Sequence, residues 1–160
     1  MELISGKIRL GAIALALSSV ATTSAVAGVV DARKTVDSTT VFLGVVPAAI
    51  TRTHPSDHIE RQMHGGAPDR SIHNIHVLVA VFDGNTGARV TNARVSARLA
   101  GDRGRGWSLP LKPMTVNGAV TYGGYTSMGV DMNARIYVDV VRTIAGRSRR
   151  VSARFEYTHD

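Results

Sequence analysis

Apolar and polar residues alternate with a period of two through much of the second half of the chain. In 150–157, Val151, Ala153, Phe155 and Tyr157 are separated by Ser152, Arg154 and Glu156. In 89–99, Val95, Ala97 and Leu99 alternate with Arg94, Ser96 and Arg98; in 135–142, Ile136, Val138 and Val140 alternate with Tyr137 and Asp139. Successive side chains of a strand point to opposite faces, so each run predicts a half-buried strand with one face on a core. His73 to Phe82 (HNIHVLVAVF) is almost continuously apolar, which predicts a central strand covered on both faces. Val41 to Val46 predicts a short strand ended by Pro47, and Ala119 to Tyr125 another. Trp107 to Met114 is strand-like but holds Pro110 and Pro113. Proline has no N–H for a ladder, so this run is expected at an edge.

Turn residues separate these runs at regular intervals. Asp83-Gly84-Asn85-Thr86-Gly87 is a dense turn signal, Asn117-Gly118 a hairpin signal, Ala145-Gly146 a third, and Gly101 to Gly106 a polar loop. The only candidate helix is a turn or two after Pro55, where Ser56 or Asp57 can cap. About seven strands with regular turns and no long helical period predict an all-β, immunoglobulin-like two-sheet sandwich.

The first 27 residues read differently. Lys7 and Arg9 precede a short apolar run, Leu10 to Leu17, and small residues lead to Ala25-Val26-Ala27. This is the three-part pattern of a secretory signal peptide, with cleavage expected before Gly28. The apolar run is too short to span a bilayer, which takes about 20 residues. No cysteine follows it to carry a lipid, and no later segment is apolar enough to cross a membrane. The expected organisation is a signal peptide over 1–27, an N-terminal strand and His/Pro-rich segment over 28–71, and a β-sandwich core over 72–160. The expected location is the periplasm.

Charge narrows the partners. The chain carries +7, and 16 of its 19 basic residues are arginine. Such a balance suits a nucleic-acid binder, but the export signal and the scarcity of aromatic residues, 5%, argue against that partner. A solvated cationic surface facing anionic envelope components fits better. There are no cysteines, so disulfides, thiolate chemistry and Cys-type zinc sites are excluded.

Candidate chemistry concentrates between His54 and His76, HPSDHIERQMHGGAPDRSIHNIH, which holds five of the six histidines and Met63. His54 and His58 are four apart and share a face if Pro55 starts a helical turn. Met63 and His64 follow, before Gly65-Gly66. His73 and His76 are three apart on a strand and so point to opposite faces. The candidate metal ligands are His54, His58, Met63, His64 and His76, with Asp57, Glu60 and Asp69 as supplementary oxygen donors. Imidazole beside a thioether favours copper; imidazoles alone also suit zinc. The competing reading of His54, His58 and His64 is a loop capping one end of the sandwich, and of His76 a partly buried histidine bonded to backbone. Met128 and Met132 flank TSMGVDMN, and with Met114 they read as gap-fillers at core edges. Catalysis is not expected: no G-x-S-x-G elbow and no Gly-rich phosphate loop is present.

The stretch VAVFDGNTGARVTNARVSARL, with NGAVTYGGY and MGVDMNARIYVDV after it, resembles small exported immunoglobulin-like modules of the FixH/YtkA-like class. The segment LGVVPAAITRTHPSDHIERQMHGG is similar to that of small periplasmic proteins of proteobacteria. The resemblance covers roughly Ile75 to Tyr157 and implies the sandwich fold. Some members of that class handle copper in the envelope. Two functions therefore stand: an exported metal binder, or a non-catalytic accessory module docking on an envelope protein without metal.

The processing expectation is open to direct test. Intact-mass measurement of the exported protein should show a chain starting at or near Gly28, whereas full-length chain recovered from the envelope would refute cleavage.

Overall fold

The computed structural model describes residues 28–48, 74–101, 106–116, 118–127 and 133–158. They form nine antiparallel strands: β1 (Gly28–Val30), β2 (Arg33–Val36), β3 (Thr39–Pro47), β4 (Asn74–Asp83), β5 (Arg94–Gly101), β6 (Gly106–Val116), β7 (Ala119–Ser127), β8 (Asn133–Ile144) and β9 (Arg147–Thr158). Their order across the sheet is β1-β9-β8-β5-β6-β7-β4-β3-β2. The sheet curls, and its two halves share one core drawn from β3 to β9.

Alternation predicts the faces correctly. Val95, Ala97 and Leu99 are buried on β5; Ile136, Val138 and Val140 on β8; Val151, Ala153, Phe155 and Tyr157 on β9. On β4 the core face is Ile75, Val77, Val79 and Val81. The opposite face is only half-covered at Leu78, Ala80 and Phe82, so the expectation of burial on both faces holds only at the start of the strand, at Asn74 and His76.

Two expectations are corrected. The strands number nine rather than seven, because β1 and β2 carry no apolar alternation of their own; they exist through pairing with β9 and β3. The run from Arg89 yields a strand only from Arg94, since the preceding residues form the connection between the two halves of the sheet.

The proline-bearing strand has a more interesting position than an edge. Residues 106–111 of β6 pair with β5, and residues 112–116 pair with β7. The strand is internal to the order, yet each half has a partner on one side only. Pro110 has β5 alone beside it and Pro113 has β7 alone, so each has an open side toward which a nitrogen without a hydrogen can face. The expected edge exists locally, twice over, where the chain passes from one half of the sheet to the other.

Two-residue turns close two of the hairpins. Asp37-Ser38 lies between the paired residues Val36 and Thr39, and Ala145-Gly146 between Ile144 and Arg147. All four turn residues have positive φ, 42° and 58° in the first and 48° and 74° in the second, the signature of type I′ turns.

The β4–β5 connection is pinned from across the sheet. Tyr122 of β7 is fully buried; its hydroxyl donates to the Val90 carbonyl at 3.2 Å and accepts from the Ala93 N–H at 3.0 Å. Arg89 Nη1 donates to the Val120 carbonyl at 2.7 Å. Tyr122→Phe would leave two backbone groups unpartnered and should cost roughly 1–3 kcal/mol. Phe155→Ala should cost roughly 3–5 kcal/mol, the range for emptying a core aromatic site. Urea unfolding of both variants checks these values, and a loss below about 1 kcal/mol for Phe155 would contradict its place in the core.

Candidate functional site

Strand β4 presents polar chemistry at both of its ends. His76, near the start, is 2% exposed. It pairs in register with Val46 of β3 on one side and Tyr125 of β7 on the other. The His76 and Tyr125 rings stack at 4.2 Å between centroids with 14° between planes. The Tyr125 hydroxyl is buried and has no hydrogen-bond partner among the described residues. A stacked imidazole beside an unsatisfied phenol is a polar site set into a sheet face. The nearby ends of β3 and β4, where Pro47 pairs with Ile75, are the ends that the 49–73 stretch connects.

Of the five candidate ligands, His76 alone lies within the described residues. His54, His58, Met63 and His64 lie outside them, as do Asp57, Glu60, Asp69, His73, Met128 and Met132. Among the described residues no three His, Asp or Glu side chains converge as a metal site. Met114 stands on β6 opposite Thr121, away from His76 in register. Tyr125 was not among the sequence candidates. Its signal was available in register only: counting back from the Asn117-Gly118 turn does not reveal which β4 residue it meets.

The other end of β4 carries an ion pair. Asp83 keeps the turn role its sequence context predicts: Oδ1 accepts from the N–H groups of Asn85 and Thr86 at 3.0 Å each. Its second oxygen, Oδ2, accepts from Arg142 Nη2 at 2.6 Å. Arg142 is 6% exposed, continues the inward phase of Ile136, Val138 and Val140, and also donates to the Ser38 carbonyl at 3.4 Å. The same carbonyl accepts the Gly84 N–H at 2.8 Å. A methyl group at Gly84 would lie 3.0 Å from the Ser38 backbone, tighter than an ordinary contact, so this approach between turns favours glycine. Two open clefts flank the pair, of about 420 Å³ and 350 Å³. The first runs along Arg89–Asn92, and the second is rimmed by Asp37, Arg149 and Arg150.

The Arg142 guanidinium, helped by the Thr86 and Asn85 N–H groups, holds the Asp83 carboxyl down to about 2 from its usual 3.8. A carboxyl depressed in the folded state stabilises fully above its unfolded pKa and loses that contribution as pH falls through the folded value. The ion pair should therefore be intact at pH 5 and above and be lost between about pH 4 and 2. Asp83→Asn should be less stable than the parent at neutral pH, with the difference closing as pH approaches 2. Urea midpoints of both proteins across that range check this; a gap that stays constant with pH would contradict it.

Comparison with known proteins adds a fold. No family model matches the chain, and no curated protein matches it. Solved structures do. A DUF4426 family protein from Pseudomonas aeruginosa superposes with a TM-score of 0.55 at 13% identity, covering 80% of this chain and 97% of that one. A copper-bound variant of Campylobacter jejuni P19 gives 0.58 at 13% identity, covering 83% and 96%. A copper-bound variant of FetP from uropathogenic Escherichia coli strain F11 gives 0.52 at 17% identity, covering 78% and 93%. At these identities the likeness is one of fold. It supports the all-β expectation and attaches the fold to these proteins; the narrower FixH/YtkA-like label rests on the sequence resemblance.

Proposed function

We propose that this chain is an exported, periplasmic metal-binding protein on an immunoglobulin-like sandwich, with copper as the favoured ion and His54, His58, Met63, His64 and His76 as its ligands. The observation that carries the reading is His76. A buried histidine stacked on a tyrosine whose hydroxyl lacks a partner among the described residues marks a polar site. It sits beside the strand ends that the His/Met-rich stretch joins. Two independent points support it. The chain has no cysteine, so imidazole and the soft thioether are the donors it offers beside carboxylates, and together they suit copper. P19 and FetP, which share the fold, have been crystallised with copper bound.

The donor set fits such an ion. His76 is anchored on a central strand, and Tyr125 fixes the plane of its ring. Fixing the ring limits the entropy lost when a ligand nitrogen is captured. Histidine must be neutral to ligate, so protons compete with the metal as pH falls through about 6.5. The export signal supplies the location in this reading.

A second reading keeps one observation on its side. In that reading the Pro- and Gly-punctuated His stretch serves as a cap or as a docking loop for an envelope protein, with no metal.

Calorimetry separates the two. Cu(II) should bind near neutral pH with a stoichiometry near one, and affinity should fall below about pH 6.5. Replacing His58 and His64 together by alanine should abolish binding, while His159→Ala should leave it intact. Met63→Leu should weaken Cu(I) more than Zn(II), because only the soft ion gains much from a thioether. Uptake no tighter than roughly millimolar would sink the metal reading in favour of the docking module.

A further inference from the structure

The charge of the molecule is divided unevenly between the halves of its sheet. Strands β5, β8 and β9 carry eight arginines against two carboxylates, Asp139 and Glu156. The other six strands carry three basic residues against one acidic. Alternation then sorts the arginines by face. Arg142 points inward to Asp83. Arg94, Arg98, Arg135, Arg150 and Arg154 stand on the outer face and are exposed.

Register arranges these five in rows. Arg94 and Arg150 flank Val141; Arg98 and Arg154 flank Tyr137; Arg135 lies between Ala100 and Glu156. The two carboxylates are already engaged. Arg98 Nε donates to Asp139 at 3.0 Å, and Arg154 Nε donates to Glu156 at 3.0 Å. Arg94 and Arg150 have no acidic partner among the described residues. Arg94 and Arg98 are about 13 Å apart along their strand, so the face is a shallow cationic plane spanning three strands.

We propose that this outer face of β5, β8 and β9 docks the protein on an anionic phospholipid bilayer. A plane of guanidiniums matches a plane of phosphates, and a leaflet bearing anionic lipid attracts basic residues held within a Debye length of it. Nucleic acid fits the face less well. Duplex readout needs an element that enters a groove, and single strands need open aromatic faces. The one aromatic here, Tyr137, is covered by the Arg98 guanidinium at 5.0 Å. The outer face of the other half is different in kind: Arg33 and Arg89 lie over the rings of Phe42 and Phe82 at 5.8 Å and 4.6 Å, within a cluster of paired aromatics. The inference does not depend on any bound metal.

Vesicle co-sedimentation of the purified protein tests it, with phosphatidylcholine vesicles containing or lacking phosphatidylglycerol. Binding should require phosphatidylglycerol and weaken as sodium chloride is raised. Each lost guanidinium should reduce partitioning roughly fivefold, so Arg94→Gln with Arg150→Gln should reduce it roughly 25-fold. The control pair, Arg33→Gln with Lys34→Gln, removes the same charge from the other half and should change partitioning less than about twofold. Melting temperatures of both pairs should stay close to that of the parent, since Arg33, Arg94 and Arg150 are exposed and Lys34 is half-buried in a surface ion pair with Asp31. Equal losses from the two pairs would show that net charge alone acts and would overturn the proposal. So would equal binding to both vesicle types, or tighter binding to a duplex DNA oligonucleotide that displaces the vesicles.

Discussion

Strand β6 belongs to both halves of the sheet, and the shared core depends on that crossing. Residues 106–111 complete one half and residues 112–116 the other. On the far side the N-terminal segment does the same: β1 pairs with β9 and β2 with β3, with only two residues between them. Both lateral sides of the curled sheet are thus crossed by continuous chain, so the halves cannot separate without breaking strand pairing. Two prolines stand where β6 changes partner. They cost little there because neither faces a second strand, and their missing donors limit further pairing of either half.

Closure of the sides leaves chemistry to the ends and the outer faces. The two ends of β4, about seven residues or roughly 23 Å apart, are differently built. At Asp83 an arginine from the opposite half of the sheet donates through Nη2 to a carboxylate and to the Ser38 carbonyl, drawing two turns and a strand end together, while its buried Nε has no hydrogen-bond partner among the described residues. A buried arginine without that carboxylate would be an uncompensated charge, so the pair fixes how the halves meet. At His76 an imidazole is buried and stacked on Tyr125, whose hydroxyl has no hydrogen-bond partner among the described residues.

Copper-bound P19 and FetP show that this fold accommodates a metal. This chain reaches the same fold at 13–17% identity to them. A shared fold hosts many functions, and the site decides among them.

The alternating patterns of β5, β8 and β9 determined their own inward faces, because a strand has two faces and only one can meet water without loss. The turn residues at Asp83–Gly87, Asn117-Gly118 and Ala145-Gly146 likewise determined the corners, through local backbone preference. Even Arg142 was readable as inward, by phase with Ile136, Val138 and Val140, although nothing near it in sequence named Asp83 as its partner. What tertiary structure alone decided was every pairing between distant segments. β1 and β2 hold no pattern and are strands only because β9 and β3 lie beside them. The division of β6 between two neighbours, the stacking of Tyr125 on His76, and the gathering of five arginines onto one plane all follow from register. Register is set by the packing of the whole sheet, where a shift of one residue would turn each buried face outward; no local stretch of sequence contains that information.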